Sequence, residues 1–292
     1  MQKVELKDKL TSYLCLTKPR QTFLLLLTSI FTYLGAGSLN LDVLLTLVAA
    51  MVLSISGTTA VNMALDADID VLMSRTKERP VPSGKVSRIE ALLFGSFLFG
   101  LGILLAYKIN LLTAIATSLG VIFDLIVYTL WTKRRTPLSI VFGGVAGAAP
   151  SLAGWTAATG RVDLAAILIM LITIAWIPSH IWYISIYFLE DYRRAEVPML
   201  PVVIGVERTA KVIVFSILVM LASELLLMII GPFGPIYGLL AVPPTAVLLY
   251  KAVKYSRNPT IRDARKMYKT ASPIEGAVFL GIALDGLLRA LH

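Results

Sequence analysis

Charge is scarce in this sequence. Only 15% of its 292 residues are Asp, Glu, Lys or Arg, against 57% hydrophobic, and the mean hydropathy is +0.79. A soluble domain of this length needs more charge than that to cover its surface. Cysteine is nearly absent as well. Cys15 stands alone, so no intramolecular disulfide can form and cysteine usage says nothing of the redox compartment. Histidine occurs only at His180 and at the last position, His292. No Ser/His/Asp or Cys/His arrangement presents itself that would argue for a protein nucleophile. The long apolar runs also lack the polar–apolar alternation of barrel strands. At about 20 residues each, they read as helices that satisfy their own backbone groups in lipid.

The expected class is therefore all-α, a polytopic membrane helix bundle forming one integral domain over residues 1–292. Its N-terminal segment, 1–20, carries Glu5 and Asp8 among lysines and reads as neither a cleaved signal nor an acid-poor transit peptide. Nine spans are expected, near 21–38, 41–66, 89–107, 111–131, 138–158, 163–189, 209–230, 235–253 and 273–291. One side then holds the N-terminus and the loops 67–88, 132–137, 190–208 and 254–272. With flanking positions, that side collects 24 of the 27 Lys and Arg, and the other side has Lys108, Arg161 and Arg289. By the positive-inside rule the basic side is cytoplasmic and the C-terminus lies outside. The formal net charge of +9 thus marks topology and contact with the lipid bilayer, not nucleic acid. The opposite loops are short, so functional residues are expected at the cytoplasmic ends of the second, fourth and sixth spans.

The second span ends in Asn62-Met-Ala-Leu-Asp66-Ala-Asp68-Ile-Asp70. Asn62, Asp66 and Asp70 are spaced i, i+4, i+8 and share a helix face, while Asp68 points elsewhere. Oxygen-only ligands of this kind suit Mg²⁺, with water and substrate phosphates completing its octahedron. Acids stacked one turn apart at a helix C-terminus repel each other and oppose the macrodipole, so cations are expected to compensate them. A basic stretch follows, with Arg75 and Arg79 nearest the carboxylates. They are candidates for diphosphate contact, Arg being suited to bidentate binding. Lys85 and Arg88 read as topology signals. A second polar cluster closes the sixth span, where His180, Trp182, Tyr183, Tyr187, Glu190 and Asp191 occur together. A polar ring is unfavourable against lipid, so His180 should face the bundle interior. The aromatic rings offer surfaces for a large flat substrate, and Asp191 can face Asp66 and Asp70 and hold a second metal. Asp124, Glu224 and Asp285 also fall inside apolar spans. Asp124 is a candidate for the cavity wall, and helix–helix hydrogen bonding is expected of the other two.

Asn62-x₃-Asp66-x₃-Asp70, followed by Arg75-Thr-x₂-Arg79-Pro, resembles the UbiA superfamily of intramembrane prenyltransferases. Three later stretches are similar to its heme-farnesylating branch: Tyr128-Thr-Leu-Trp-Thr-Lys133-Arg134-Arg135-Thr136-Pro137, the Gly143–Trp155 region, and Asp191-Tyr192 followed by Pro198-Met-Leu-Pro201. The resemblance covers residues 15 to 210. It implies nine transmembrane helices around a central cavity, capped at the cytoplasmic end by a Mg²⁺-diphosphate site. By position, Asn62, Asp66 and Asp70 would bind diphosphate through Mg²⁺, with Asp191 in a second acidic motif. Relatives outside the heme branch carry another Asp where this chain has Tyr187, which leaves the number of metals there open. His180 matches a histidine of the heme branch.

On that resemblance the donor is farnesyl diphosphate and the acceptor heme B. Arg75, Arg79, Lys133 and Arg134 would stabilise the leaving diphosphate, and Tyr128 an allylic cation. Acceptor contact falls to His180, Trp182 and Tyr187. The implied setting is a prokaryotic plasma membrane, with a downstream heme-modifying enzyme or heme-copper oxidase as a partner. Two alternatives stand beside it: a prenyltransferase of the same fold acting on an aromatic quinone precursor, and a cation-coupled transporter. The transporter is disfavoured because the acids sit at one end and not at the midplane.

Overall fold

The computed structural model describes residues 2–291, with side-chain surroundings from Asp8 onward. Met1, His292 and the side chains of Lys3, Glu5 and Lys7 lie outside the described residues. Among the described residues there is no strand. The elements are α1 (Gln2–Leu16), α2 (Pro19–Gly35), α3 (Leu41–Leu65), α4 (Ala67–Asp70), α5 (Arg88–Ile109) and α6 (Leu111–Ile122). A π-helical stretch, Phe123–Thr132, continues α6. Then come α7 (Ser139–Thr159), α8 (Leu164–Tyr187), α9 (Leu189–Arg194), α10 (Leu200–Ile230), α11 (Pro235–Arg257) and α12 (Ile261–Leu291).

Local sequence explains where many of these start. The side chains of Asn40, Asn110 and Asp163 accept from the third backbone N–H of α3, α6 and α8. Ser87 and Glu90 form a reciprocal capping box on α5. Helix α10 begins at Leu200, nine residues before the expected span, because Pro201 opens it and Gly205, at φ 81, kinks it. Helix α1 was not expected from the pattern. Its Leu16 is fully buried and packs with Ala60, Met63, Ala64, Val81 and Val86, which docks the N-terminal segment on the end of α3.

Seven helices are long and apolar enough to cross a membrane: α3, α5, α6 with its π continuation, α7, α8, α10 and α11. Helix α2 has 17 residues, and the apolar part of α12 carries Glu275, Asp285 and Arg289; neither joins that set. Both still pack into the bundle, α2 against α7 and α12, and α12 against α8 and α11. Phe97, Leu104, Phe215, Ile229 and Leu239 stand exposed on the outer surface, an apolar belt that lipid would cover. Inside, backbones approach closely. A Cβ on Gly57 would run into the backbone of Gly95 and Phe99, which is why α3 and α5 pack so tightly.

The end opposite the basic loops is closed by acids in structural roles. Asp285 of α12 accepts from the backbone N–H groups of Gly234 (2.6 Å) and Tyr237 (2.9 Å), capping the start of α11. Glu224 of α10 is fully buried and accepts from Thr245 Oγ1 of α11 at 2.9 Å. These are the helix–helix hydrogen bonds expected of both. A cavity of about 430 Å³ opens at this end beside Phe233, Asp285 and Arg289, and one of about 140 Å³ lies against Tyr187, Glu190 and Asp191. Neither is the central cavity that the resemblance implies.

Candidate active site

Helix α3 stops at Leu65, and Asp66, at φ −91 and ψ 2, joins it to the short α4. The hydrogen-bond ladder nevertheless runs on, Asp66 N to Asn62 O and Asp70 N to Asp66 O, both 2.9 Å. The stripe Asn62, Asp66, Asp70 therefore survives the helix end, and all three residues are buried. Asp68 projects to the surface as expected, where Arg134 grips it with two bonds of 2.7 and 2.8 Å. That contact holds the Asp68 carboxyl down at about 2.

The expected cations are present. Lys133 Nζ lies 2.6 Å from Asp66 Oδ2, and Arg79 donates to Asp70 Oδ2 at 2.7 Å. Burying an unpaired carboxylate costs several kcal/mol, roughly, so such partners are required for these acids to sit inside the fold. Burial opposes the charge on Lys133, but Tyr128 and Asp66 outweigh it and hold the lysine above its ordinary range. The other oxygen, Asp66 Oδ1, is buried without any hydrogen-bond partner. An uncompensated carboxylate oxygen beside an all-oxygen stripe is what a hard cation would take.

Two features of this cluster escape sequence reasoning. The first is the π stretch, in which Lys133 N bonds Tyr128 O at 2.8 Å, one residue wider than an α-turn. It sets Thr129 where Asn62 Nδ2 can donate to its Oγ1 (2.8 Å), and the Thr129 hydroxyl donates on to Asp124 O. The second is Lys18, in a left-handed backbone conformation at φ 44, whose Nζ donates to Asn62 Oδ1 at 3.5 Å. Burial and nearby Arg79 push Lys18 down to about 8, against the pull of Asp124, Asp66 and Asp70. The only sequence signal for Lys18 was its place immediately before Pro19, and a lysine there reads as a topology charge. Tyr128 is half-buried, with Lys133 Nζ 5.6 Å from its ring centre.

Asp191, on α9, is buried and accepts from both Ser74 N (3.1 Å) and Ser74 Oγ (2.5 Å). The stretch 74–79 thus touches both acidic motifs, through Ser74 and through Arg79. Among the described residues no three His, Cys, Asp or Glu side chains form a ready metal cluster, so Asn62, water or substrate oxygens would have to complete one. Arg75 makes no ion pair among the described residues; its guanidinium lies 5.7 Å from the Phe188 ring centre.

His180 faces α12. It stacks on Trp176 (4.5 Å between ring centres), meets Tyr268 at 4.7 Å, and has Nδ1 3.3 Å from Ser272 Oγ. The same Ser272 hydroxyl lies 2.8 Å from Tyr268 O. Tyr187 lies on the same face, seven residues on. Trp182 is about 200° around the helix from His180, and it is buried on the other side. The structure therefore brings His180 and Tyr187 together and separates Trp182 from them.

A model of the UbiA prenyltransferase family matches residues 23–274. A protoheme IX farnesyltransferase of Korarchaeum cryptofilum is 65% identical over 291 residues, covering 100% of this chain and 99% of that protein. A solved structure of digeranylgeranylglyceryl phosphate synthase superposes with a TM-score of 0.81 at 21% identity, over 96% of this chain and 99% of the other. A UbiA homolog from Archaeoglobus fulgidus bound to GPP and Mg²⁺ gives 0.66 at 16%, over 95% and 99%. At such identities the two structures speak for the fold alone.

Proposed function

We infer the activity from one premise, that the chain belongs to the UbiA prenyltransferase family: it transfers the farnesyl group of farnesyl diphosphate to a vinyl group of heme B, giving heme O and diphosphate. The observation that carries this reading is the buried Asp66–Asp70 stripe, each acid held by a basic side chain from another segment, with one carboxylate oxygen left over. Asn62, Asp66, Asp70 and Asp191 are the residues that would hold Mg²⁺. When bound, Mg²⁺ supplies charge neutralisation on the diphosphate as the C–O bond breaks.

The protein's own residues do the rest. Lys133 and Arg79 are long, flexible cations that can exchange a carboxylate for a phosphate oxygen; Lys18 lies beside Asn62, and Arg75, with no ion pair among the described residues, is a further diphosphate contact in this reading. These donors meet charge that develops on the leaving group, which is where electrostatic catalysis is largest. Arg134 is committed to Asp68 and contributes from the rim. The Tyr128 face stabilises the allylic carbocation left on the farnesyl chain. That carbon bonds the terminal vinyl carbon of the acceptor, water adds to the adjacent carbon, and a proton is released. His180 and Tyr187 contact the acceptor, while Trp182 supports the wall from behind. Nine helices cross the bilayer in this reading, with the basic end in the cytoplasm of a prokaryote. Heme O then passes to a downstream heme-modifying enzyme or a heme-copper oxidase.

The test is to incubate purified protein with heme B, farnesyl diphosphate and Mg²⁺, with an EDTA control, and to read the porphyrin mass. A hydroxyethylfarnesyl gain that EDTA abolishes is expected. Folded protein that binds both substrates but prenylates only an aromatic quinone precursor would overturn the acceptor assignment.

A further inference from the structure

Helices α8 and α12 meet along a seam with three successive contacts. Trp176 Nε1 donates to Ala271 O at 2.9 Å. One turn on, His180 lies against Tyr268 and Ser272. At the end of the seam the guanidinium of Arg265 lies over the Tyr187 ring, 5.5 Å from its centre. Arg265, Tyr268 and Ser272 are spaced i, i+3, i+7, so one face of α12 matches the His180–Tyr187 face of α8. No sequence motif pointed to the α12 side of this wall.

Some basic residues near Arg265 are paired with acids, whereas Arg265, like Arg262 and Lys269, has no such partner among the described residues. Lys266 is paired with Asp263 at 2.8 Å, Arg193 with Glu190 at 2.7 Å, and Arg79 with Asp70. Arg265 has no ion pair among the described residues. Its side chain is exposed, with the Tyr187 ring as its aromatic neighbour. A guanidinium without a carboxylate partner keeps its N–H groups available for a planar anion, and a carboxylate is the matching shape. The 140 Å³ cavity that adjoins this point is lined by Tyr187, Phe188, Leu189, Glu190, Asp191 and Ile261.

We propose that Arg265 binds a carboxylate of the acceptor, a propionate of the tetrapyrrole, and so sets where the ring lies along the His180 face. This rests on the acceptor assigned under the proposed function. Protoheme carries two propionates at one edge and its vinyl groups elsewhere on the ring. A fixed grip on one carboxylate therefore selects which ring position is presented for prenylation, while the diphosphate site is left unchanged. Arg265 is accordingly a positioning residue.

The experiment compares Arg265→Gln and Arg265→Lys with the parent enzyme, using heme B and its dimethyl ester as acceptors. KM is measured separately for acceptor and for farnesyl diphosphate. Losing a charged hydrogen bond should raise the heme B KM of Arg265→Gln by about tenfold or more, with the farnesyl diphosphate KM within about twofold. The parent should disfavour the ester by a similar factor, Arg265→Gln should no longer discriminate acid from ester, and Arg265→Lys should recover part of the difference. A rise confined to the farnesyl diphosphate KM would overturn the proposal in favour of a diphosphate contact. Retained acid–ester discrimination in Arg265→Gln would overturn it too, and a response only to anionic lipid would assign the residue to headgroups. If the parent enzyme itself does not prenylate heme, the functional reading falls and this proposal with it. If the parent works and discrimination persists, this proposal alone falls.

Discussion

At the basic end of the bundle, Asp66 and Asp70 are 2% and 3% exposed and face Lys133 and Arg79. At the opposite end, Glu224 and Asp285 are buried too, but their hydrogen bonds come from a threonine hydroxyl and two backbone N–H groups. The residue class and the burial match, yet the two settings differ in kind. A backbone amide cannot leave its acceptor without unwinding a helix, so Asp285 is locked as a cap. A lysine or arginine side chain can rotate onto another anion at small conformational cost, which is what the proposed diphosphate site requires of Lys133 and Arg79. Buried acids with mobile cationic partners mark the site, and buried acids with fixed neutral donors mark the scaffold.

The largest effect expected from breaking this contrast is at the stripe. Asp66→Asn or Asp70→Asn should lower transferase turnover by about 10³-fold, with thermal unfolding in detergent within a few degrees of the parent. Turnover within tenfold of the parent would place the chemistry elsewhere. Asp285→Ala should do the reverse. Leaving two N–H groups without an acceptor should destabilise the protein by about 1–3 kcal/mol, seen as a lower melting temperature, while activity per folded molecule is kept. Loss of activity without loss of stability would erase the distinction between the two ends.

Smaller effects sharpen the picture. Lys133→Met should raise the KM for farnesyl diphosphate by about tenfold, with the acceptor KM little changed, and Lys133→Arg should raise it less. The smallest is a pH effect at Lys18. Its folded pKa of about 8 lies below its ordinary value of 10.5, so the folded protein releases this proton first as pH rises. Lys18 is charged below pH 8 and neutral above it, so kcat/KM for farnesyl diphosphate should fall by a few-fold on passing about pH 8. The same shift works oppositely on stability, because the unfolded chain holds more protons between about 8 and 10.5 and stability therefore rises with pH across that window. Lys18→Arg should flatten the kinetic profile; an unchanged profile would remove Lys18 from the substrate site.

Much of the site was legible in the order of residues. The i, i+4, i+8 spacing of Asn62, Asp66 and Asp70 survives as a buried face, and the demand for compensating charge is met by Arg79, which the pattern singled out, and by Lys133, which only the family resemblance pointed to. Arg134 shows the limit of that logic. It neighbours Lys133 in sequence, yet it turns to Asp68 at the surface. Lys18 and Ser74 were missed because a lone lysine before a span looks like a topology charge and a serine in a polar loop looks like nothing in particular. The π stretch was missed because widening a helix by one residue has no compositional signature. Trp182 was grouped with His180 by proximity along the chain, where the helical angle separates them.

By itself the sequence determined the class of the protein: all-helical, apolar enough for a membrane, with its basic residues gathered on alternate loops and an acidic stripe at one helix end. Those properties are local, since run length, charge position and helical periodicity are each decided within a few turns of chain. Only the tertiary structure decided which cation meets which acid, because Lys133 and Asp66 are 67 residues apart, Ser74 and Asp191 117, and Lys18 and Asn62 44. Contacts of that kind depend on how the helices dock, and docking depends on shape complementarity among many side chains at once, which no single stretch of sequence carries.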